Sequence, residues 1–292
     1  MRINLKEMSD NTIDFTEFEV RISDLWDTWN EHLHDQEKNY DIRDQCYAIC
    51  SKVIQKLDDG EIHVLQQDQN SQEWSVNAWV QRAILLYFAT AEEIAWKTGH
   101  RDLISLKRRM NFRNGPGSVV RHGSFVSHSA VVMPQSFINV GARVGGHTMI
   151  DSCVTVGSCA WVGDNCHVGA GTVIGGVLEP PGKRPVIVES NCRIGAQCSI
   201  TEGAHLEEGV VLASGTHIAS STTVLMRCDN EYLPINAKSG HTVITAHSVV
   251  VPGSVQIADG IMKQAAIIIK KSDEKTKAKT MQENMLYSKD DE

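Results

Sequence analysis

An aliphatic residue recurs at every sixth position through the middle of the chain, and this is its most regular pattern. One run keeps the spacing from residue 120 to residue 174, and a second keeps it from 188 to 224 after the frame slips by two positions. An α-helix cannot hold a strict six-residue period, because its face drifts at about 3.6 residues per turn. A coil of three short parallel strands can, since each strand points one aliphatic side chain inward. The repeating positions are Val120, Val126, Val132, Ile138, Val144, Ile150, Val156, Val162, Val168, Ile174, Val188, Ile194, Ile200, Leu206, Leu212, Ile218 and Val224.

The pattern therefore predicts a mainly β fold, a parallel β-helix of hexapeptide repeats, over residues 113–228. Three hexapeptides complete one coil, so Val120, Ile138, Val156 and Ile174 should stack in one column. The frame slips at residues 175–187, which contain three prolines and Lys183-Arg184. Because proline and charged side chains do not suit a flat wall, this segment is predicted to be an exposed loop.

The flanking regions have different patterns. Residues 1–112 are predicted to be an N-terminal helical domain, with apolar residues three and four apart in segments 13–33, 46–57 and 75–99. The second segment is followed by Gly60 and the third ends at Gly99, both helix-ending signals. Residues 229–292 are predicted to form short C-terminal strands, at 242–255 and 264–271, and a polar tail that is mobile or loosely helical.

Composition narrows the possible partners and location. The formal net charge of -8 argues against nucleic acid and anionic membranes, which both need a basic surface. No apolar run is long enough to cross a bilayer, and the first residues do not read as a secretion signal, so a cytoplasmic protein is expected. The eight cysteines include no CxxC pair, and we expect reduced thiols.

Several strings resemble the tetrahydrodipicolinate N-succinyltransferase family. They include EWSVNAWVQRAILLYF, TMIDSCVTVGSCAWVG, IGGVLEP and AIIIKKSDEKTKAKT, and together such strings follow residues 45–285. The resemblance implies a left-handed β-helix and a homotrimer with active sites between adjacent coils. It also implies direct acyl transfer from succinyl-CoA, used as cosubstrate with no permanently bound cofactor or metal, to the amine of a dicarboxylic amino acid.

The resemblance assigns roles to individual residues. Asp151 in TMIDSC matches the catalytic aspartate, although a turn residue alone would explain it. Arg113 matches an arginine that pairs with a substrate carboxylate, and Asn139 matches a residue that holds the acceptor. The predicted coenzyme A contacts are Gly176, Ala196, Lys270 and Lys271.

The chain departs from the family near the acyl donor. Ser199 stands where the family has a second catalytic glutamate, and Glu202 matches another family glutamate at a different place on the coil. Both remain candidates for that role. The segments 227–247 and 260–266 also diverge. A diverged paralogue is therefore predicted, one that uses either succinyl-CoA or acetyl-CoA, for lysine or for a lysine-derived, tabtoxin-like antimetabolite.

Three alternatives stay open. A γ-type carbonic anhydrase uses the same coil with zinc held by histidines, but the histidines here mostly stand alone. A hexapeptide acetyltransferase acting on a sugar or serine would use a histidine base, for which His147, His167 and His205 are candidates. A trimeric scaffold without catalysis would explain the loss of the acid at Ser199.

Overall fold

The computed structural model describes residues 15–32, 36–91, 106–107, 110–228, 231–235 and 240–273. Helices α1 (Thr16–Glu31), α2 (Gln36–Asp59) and α3 (Ala78–Thr90) form the N-terminal part. A short antiparallel hairpin, Leu65–Gln67 with Trp74–Val76, lies between α2 and α3. The sequence pattern did not predict this hairpin. None of the helices in the described ranges is both long and apolar enough to span a membrane.

The predicted β-helix is confirmed, and its strands stack into three walls. Wall one is Arg113–Asn114, Val131–Val132, Met149–Ile150, His167–Val168, Arg193–Ile194, Val211–Leu212 and Ser248–Ala258. Wall two is Val119–Val120, Phe137–Ile138, Thr155–Val156, Val173–Ile174, Ser199–Ile200 and His217–Ile218. Wall three is Phe125–Val126, Arg143–Val144, Trp161–Val162, Ile187–Val188, His205–Leu206 and Val243–Ile244.

The predicted column of stacked residues is present. Val120 pairs with Ile138, Ile138 with Val156 and Val156 with Ile174, all in parallel register on wall two. In every two-residue wall strand after Arg113–Asn114, the second residue points inward and is buried, whereas the first points outward. The inward side chains form one continuous apolar core, and burying each such side chain stabilises the fold by roughly 1.5–3 kcal/mol.

Three corners join the walls, and they organise the site described below. The first corner follows each strand of wall one, the second follows wall two, and the third follows wall three. Residues 175–186 leave the coil at the second corner, between Ile174 and Ile187. The excursion explains the slip in the sequence frame, because the coil itself resumes in register when Ile187 pairs with Trp161.

The last predicted hexapeptide is wrong. Val224 belongs to strand Thr223–Cys228, which pairs with Glu231–Ile235 and Ile261–Lys271 rather than with wall three. The next place on wall three is taken by Val243–Ile244, and Ser248–Ala258 then extends wall one. The boundary at residue 228 stays a prediction, although these two strands continue the walls beyond it. Val224 is nevertheless buried in the same core.

The N-terminal helices differ from the sequence pattern at one end. Gly60 follows α2 in the left-handed conformation, as a helix-ending glycine should. Helix α3, however, ends at Thr90 because Ala91 is extended, so the segment predicted to reach Gly99 is not one helix. Gly99 and residues 274–292, with the predicted polar tail, lie outside the described residues.

The N-terminal part packs on wall three through aromatic contacts. The ring of His63 meets Phe125 and Trp161 edge-on at centroid distances of 5.7 and 5.3 Å, and Trp74 meets Trp161 at 5.0 Å. Arg143 lies 4.2 Å from the centroid of the Trp161 ring. These contacts cover wall three, whereas the outward side chain of Val173 on wall two is 42% exposed.

This packing predicts a loss of stability in acid. Burial, assisted by the charge of Arg143, lowers the pKa of His63 from 6.5 to about 4. Below pH 6.5 the unfolded chain therefore binds a proton that the folded chain excludes, and the free energy of unfolding falls as the pH approaches 4. Between pH 7.5 and 4.5 this contribution is about 2–3 kcal/mol. Urea unfolding should show a smaller decrease for His63→Phe than for the wild type; equal decreases would contradict the assignment.

Candidate functional site

Asp151 lies on the first corner, directly after the wall-one strand Met149–Ile150. Its Oδ1 accepts a hydrogen bond from the Ser152 amide at 2.7 Å, which holds the carboxylate in place. Its Oδ2 faces Nε2 of His167, on the next strand of wall one, at 3.8 Å. One carboxylate oxygen thus shapes the corner while the other is directed to the neighbouring imidazole. The side chain remains 32% exposed and accessible from solvent.

The imidazole beside Asp151 is held in its neutral form. Burial lowers the pKa of His167, and the Asp151 carboxylate only partly opposes this effect. Nε2 of His167 is buried, and no group in the described part of the chain forms a hydrogen bond with it. A neutral ring does not neutralise the charge of the Asp151 carboxylate. Asp151 can therefore accept a proton from a bound group.

Arg113 and Ser199 stand near the same corner as Asp151. Arg113 is exposed on the first strand of wall one, two strands before Met149. Ser199 is on wall two, two strands beyond Thr155, which follows the Asp151 corner. At the usual strand spacing each lies on the order of 10 Å along the coil axis from Asp151. Arg113 and Ser199 thus lie on opposite sides of Asp151 along the axis, on the two walls that the first corner joins.

Asn139, Gly176 and Glu202 lie on the second corner instead. Oδ1 of Asn139 accepts hydrogen bonds from the Val140 amide at 2.9 Å and from Nη1 of Arg121 at 3.1 Å, so its Nδ2 remains to donate. Glu202 Oε2 accepts from the amide and the hydroxyl of Ser220 on the next coil. Six residues of coil separate the two corners, on the order of 15 Å. A single chain does not bring Asp151 and Asn139 together.

The predicted coenzyme A contacts are also separated. Ala196 is on the first corner, where its carbonyl accepts a hydrogen bond from the Gly215 amide at 3.0 Å. Lys271 lies at the third corner and donates to the hydroxyls of Thr245 and Ser248 at 3.0 and 3.2 Å. Lys270 forms an ion pair with Asp273 at 2.7 Å. Both lysines thus have local partners in the C-terminal part of the chain.

The loop at the second corner is held at both ends by the buried side chain of Gln81 from α3. Its Nε2 donates to the carbonyls of Val177 and Lys183 at 3.0 and 3.2 Å, and its Oε1 accepts from the Gly182 amide at 2.7 Å. The Gln81 amide is fully buried, and burying it without hydrogen-bond partners would destabilise the fold, so these bonds satisfy its polar atoms. The sequence pattern did not indicate this role.

Arg184 anchors the end of the same loop to two histidines. Its Nη2 lies 3.0 Å from Nδ1 of His205, and its Nη1 lies 2.7 Å from Nε2 of His241. A guanidinium only donates, so both ring nitrogens must accept, which leaves the proton of a neutral His205 on Nε2. This Nε2 donates to Glu189 at 2.7 Å. His205 is only 8% exposed, and both of its ring nitrogens are bonded within this network, so neither is available to a substrate.

Glu189 closes the network. Burial would raise the pKa of its carboxyl, but hydrogen bonds from His205 and Trp74 together lower the pKa below its usual value.

Of the histidine candidates, His147 is exposed on the third corner, away from wall two, which leaves His167 beside Asp151. Within the described ranges no three histidine, cysteine or acidic side chains group as metal ligands would, so nothing there supports the carbonic anhydrase alternative.

A second polar pair was missed by the sequence analysis. Oγ of Ser199 lies 2.7 Å from Nδ1 of His217, on adjacent strands of wall two. The two residues are one coil apart, and that spacing was the signal that could have revealed the pair. His217 is exposed.

Comparisons with known proteins place the chain in a family. A model described as tetrahydrodipicolinate N-succinyltransferase N-terminal matches residues 17–90, and one described as hexapeptide repeat of succinyl-transferase matches 159–176 and 185–220. A protein of Wolbachia sp. subsp. Brugia malayi named 2,3,4,5-tetrahydropyridine-2,6-dicarboxylate N-succinyltransferase is 39% identical over 269 residues, which cover 88% of this chain and 94% of that protein. The chain belongs to the tetrahydrodipicolinate N-succinyltransferase family.

Membership is supported along nearly the whole chain. The Rickettsia conorii protein with the same name as the Wolbachia protein is 37% identical over 280 residues, covering 91% of this chain and 97% of its own. The chain is thus an acyltransferase of the tetrahydrodipicolinate N-succinyltransferase family, as its motifs indicated. The roles of individual residues stay predictions.

Proposed function

We propose that this member of the family transfers a succinyl group from succinyl-CoA to the amine of tetrahydrodipicolinate in its open form, 2-amino-6-oxopimelate, on the route to diaminopimelate and lysine. The observation that carries the proposal is the 39% identity over 94% of a relative with that named activity. The position of Asp151, with one oxygen fixed by the Ser152 amide and the other accessible, supplies the base.

The reaction follows from these groups. The amine nitrogen attacks the thioester carbon, a C–N bond forms, and the C–S bond breaks to release coenzyme A. Oδ2 of Asp151 accepts a proton from the nitrogen, while Oδ1 stays on the Ser152 amide, so the carboxylate does not rotate away. Backbone N–H groups at the coil corners would stabilise the developing oxyanion. No enzyme-bound acyl intermediate is needed.

A homotrimer would complete the site. Asp151 and Arg113 lie on one side of wall two, and Asn139 and Gly176 lie on the other. Packing the first corner of one copy against wall two and the second corner of its neighbour would bring both groups to one cleft. Sedimentation of the purified protein should then give three times the chain mass of 32.3 kDa. A monomeric active enzyme would contradict this arrangement.

A second candidate is transfer of an acetyl group, or transfer to an analogue of the acceptor, in a pathway to a lysine-derived antimetabolite. Ser199 favours this candidate, because its hydroxyl stands where the resemblance expects the family's second catalytic glutamate and so changes the proton-accepting groups along wall two.

Coenzyme A release distinguishes the two candidates. Purified protein would be given succinyl-CoA or acetyl-CoA separately, with enzymatically generated tetrahydrodipicolinate, and thiol release would be followed over time. At least tenfold higher kcat/KM with succinyl-CoA is expected, a difference of about 1.4 kcal/mol. A preference for acetyl-CoA would support the second candidate. Silence with both donors would contradict succinyl and acetyl transfer to tetrahydrodipicolinate, and would leave transfer to an analogue of the acceptor.

A further inference from the structure

We propose that Ser199 and His217 form a second proton-accepting pair for the acyl transfer. The inference rests on the proposed function and names a residue, His217, that no motif had indicated. Oγ of Ser199 and Nδ1 of His217 are 2.7 Å apart, which is hydrogen-bonding distance for a hydroxyl and an imidazole. A hydroxyl paired with an imidazole is a common arrangement for moving protons in catalysis.

The location of the pair is unusual within its wall. The other outward side chains of wall two are Val119, Phe137, Thr155 and Val173. None of these titrates, so His217 is the one outward imidazole on the wall's described strands. Wall three, by contrast, is covered by the N-terminal aromatic residues. The pair therefore stands on an open surface that a cosubstrate can reach.

The proton balance of the reaction gives such a pair a role. An amino-acid amine is mostly an ammonium near neutral pH, and its conversion to an amide removes two protons from nitrogen. The leaving thiolate ultimately takes one of them. Asp151 accepts one proton at a time, and the neutral ring of His167 beside it is desolvated, which disfavours a second charge there. A separate acceptor for the other proton is therefore useful.

The proton would move through the hydroxyl. Oγ of Ser199 takes a proton from the ammonium while its own proton passes to Nδ1 of His217, and the exposed imidazolium then returns it to solvent. No bond to carbon forms on Ser199, and the nitrogen lone pair that is freed attacks the thioester. Ser199 lies on the order of 10 Å along the coil axis from Asp151 of the same copy. The two would therefore serve one amine from neighbouring copies.

Kinetics of matched variants test the pair. His217→Gln keeps an amide within reach of Ser199 but cannot accept the proton, and we expect kcat to fall about 10²-fold with KM for the acyl-CoA unchanged. His128→Gln, the same change at an exposed third-corner histidine, should keep wild-type kcat. Adding Ser199→Glu to His217→Gln places a carboxylate beside the lost base and should recover kcat at least tenfold.

The possible outcomes separate this inference from the proposed function. Wild-type kcat in His217→Gln, alongside an inactive Asp151→Asn, would overturn the pair and leave the proposed function standing. A silent wild-type protein would overturn both. A gain of one acyl mass on Ser199 after incubation with donor alone would show a nucleophile instead of a proton relay, and would also overturn the inference.

Discussion

An Asp151→Asn variant is expected to lose about 10²–10⁴-fold in kcat, the usual contribution of a positioned general base. Asparagine keeps an oxygen for the Ser152 amide, so the first corner should retain its shape. What the variant loses is the second carboxylate oxygen, 3.8 Å from His167, which accepts the proton in the proposed reaction. Thiol release at saturating acyl-CoA and acceptor measures the effect.

Asp164→Asn is the matched control. Asp164 lies on the third corner with its side chain 57% exposed, and its Oδ1 accepts a hydrogen bond from the Gly146 amide much as Asp151 accepts one from Ser152. The same change there should leave kcat near the wild-type value. If Asp151→Asn kept more than a tenth of wild-type kcat, Asp151 would not be the base, even if the protein proved to be a succinyltransferase.

The coil could be predicted from sequence because one local period determines three features together. An aliphatic residue every six positions specifies a short strand, a corner and an inward direction, so the column from Val120 to Ile174 followed without any knowledge of distant contacts. The loop after Ile174 followed for the same reason. A segment with proline and charge interrupts the period visibly.

Where strands compete for a partner, the period did not suffice. Val224 has the local pattern of a wall strand, but its strand pairs with Ile261–Lys271, and Val243–Ile244 takes its place on wall three. That choice depends on hydrogen bonds to a segment distant in the chain, which no six-residue window contains. The early end of α3 at Thr90 was also not predictable from the local sequence, because Ala91 is neither a proline nor a glycine and gives no helix-ending signal.

In the candidate site, too, local motifs could be read from the sequence, whereas contacts between distant residues could not. Asp151 was found through a motif contiguous in sequence, and its accessible oxygen fits the predicted role. Ser199 was noticed as a lost carboxylate, but its partner His217 was missed because contacts across wall two join residues a full coil apart. For Lys271 the sequence predicts a contact with a coenzyme A phosphate, because it belongs to a pair of adjacent lysines. In the structure the ammonium of Lys271 instead donates to the hydroxyls of Thr245 and Ser248.

Gly176→Ala is expected to destabilise the protein by about 1–3 kcal/mol, because the added methyl group would be forced against backbone. A Cβ at this position would lie 2.2 Å from the Ser158 amide nitrogen and 2.4 Å from its carbonyl oxygen. That carbonyl accepts the hydrogen bond from Val177 that starts the loop, so the coils cannot separate without losing it. The residue is outside the left-handed region, and the expected effect is therefore steric.

Gly146→Ala provides the comparison for this steric effect. Its Cβ would meet only two side-chain hydroxyls, those of Ser129 and Ser127 at 3.0 and 3.4 Å, and would not be forced against the backbone of a neighbouring coil. Urea unfolding should show a lower midpoint for Gly176→Ala and a change within about 0.5 kcal/mol for Gly146→Ala. Equal stability of both variants would contradict the backbone contact. If Gly176→Ala unfolded like the wild type and still raised KM for acyl-CoA, the glycine would be needed for the pantetheine arm rather than for the coil.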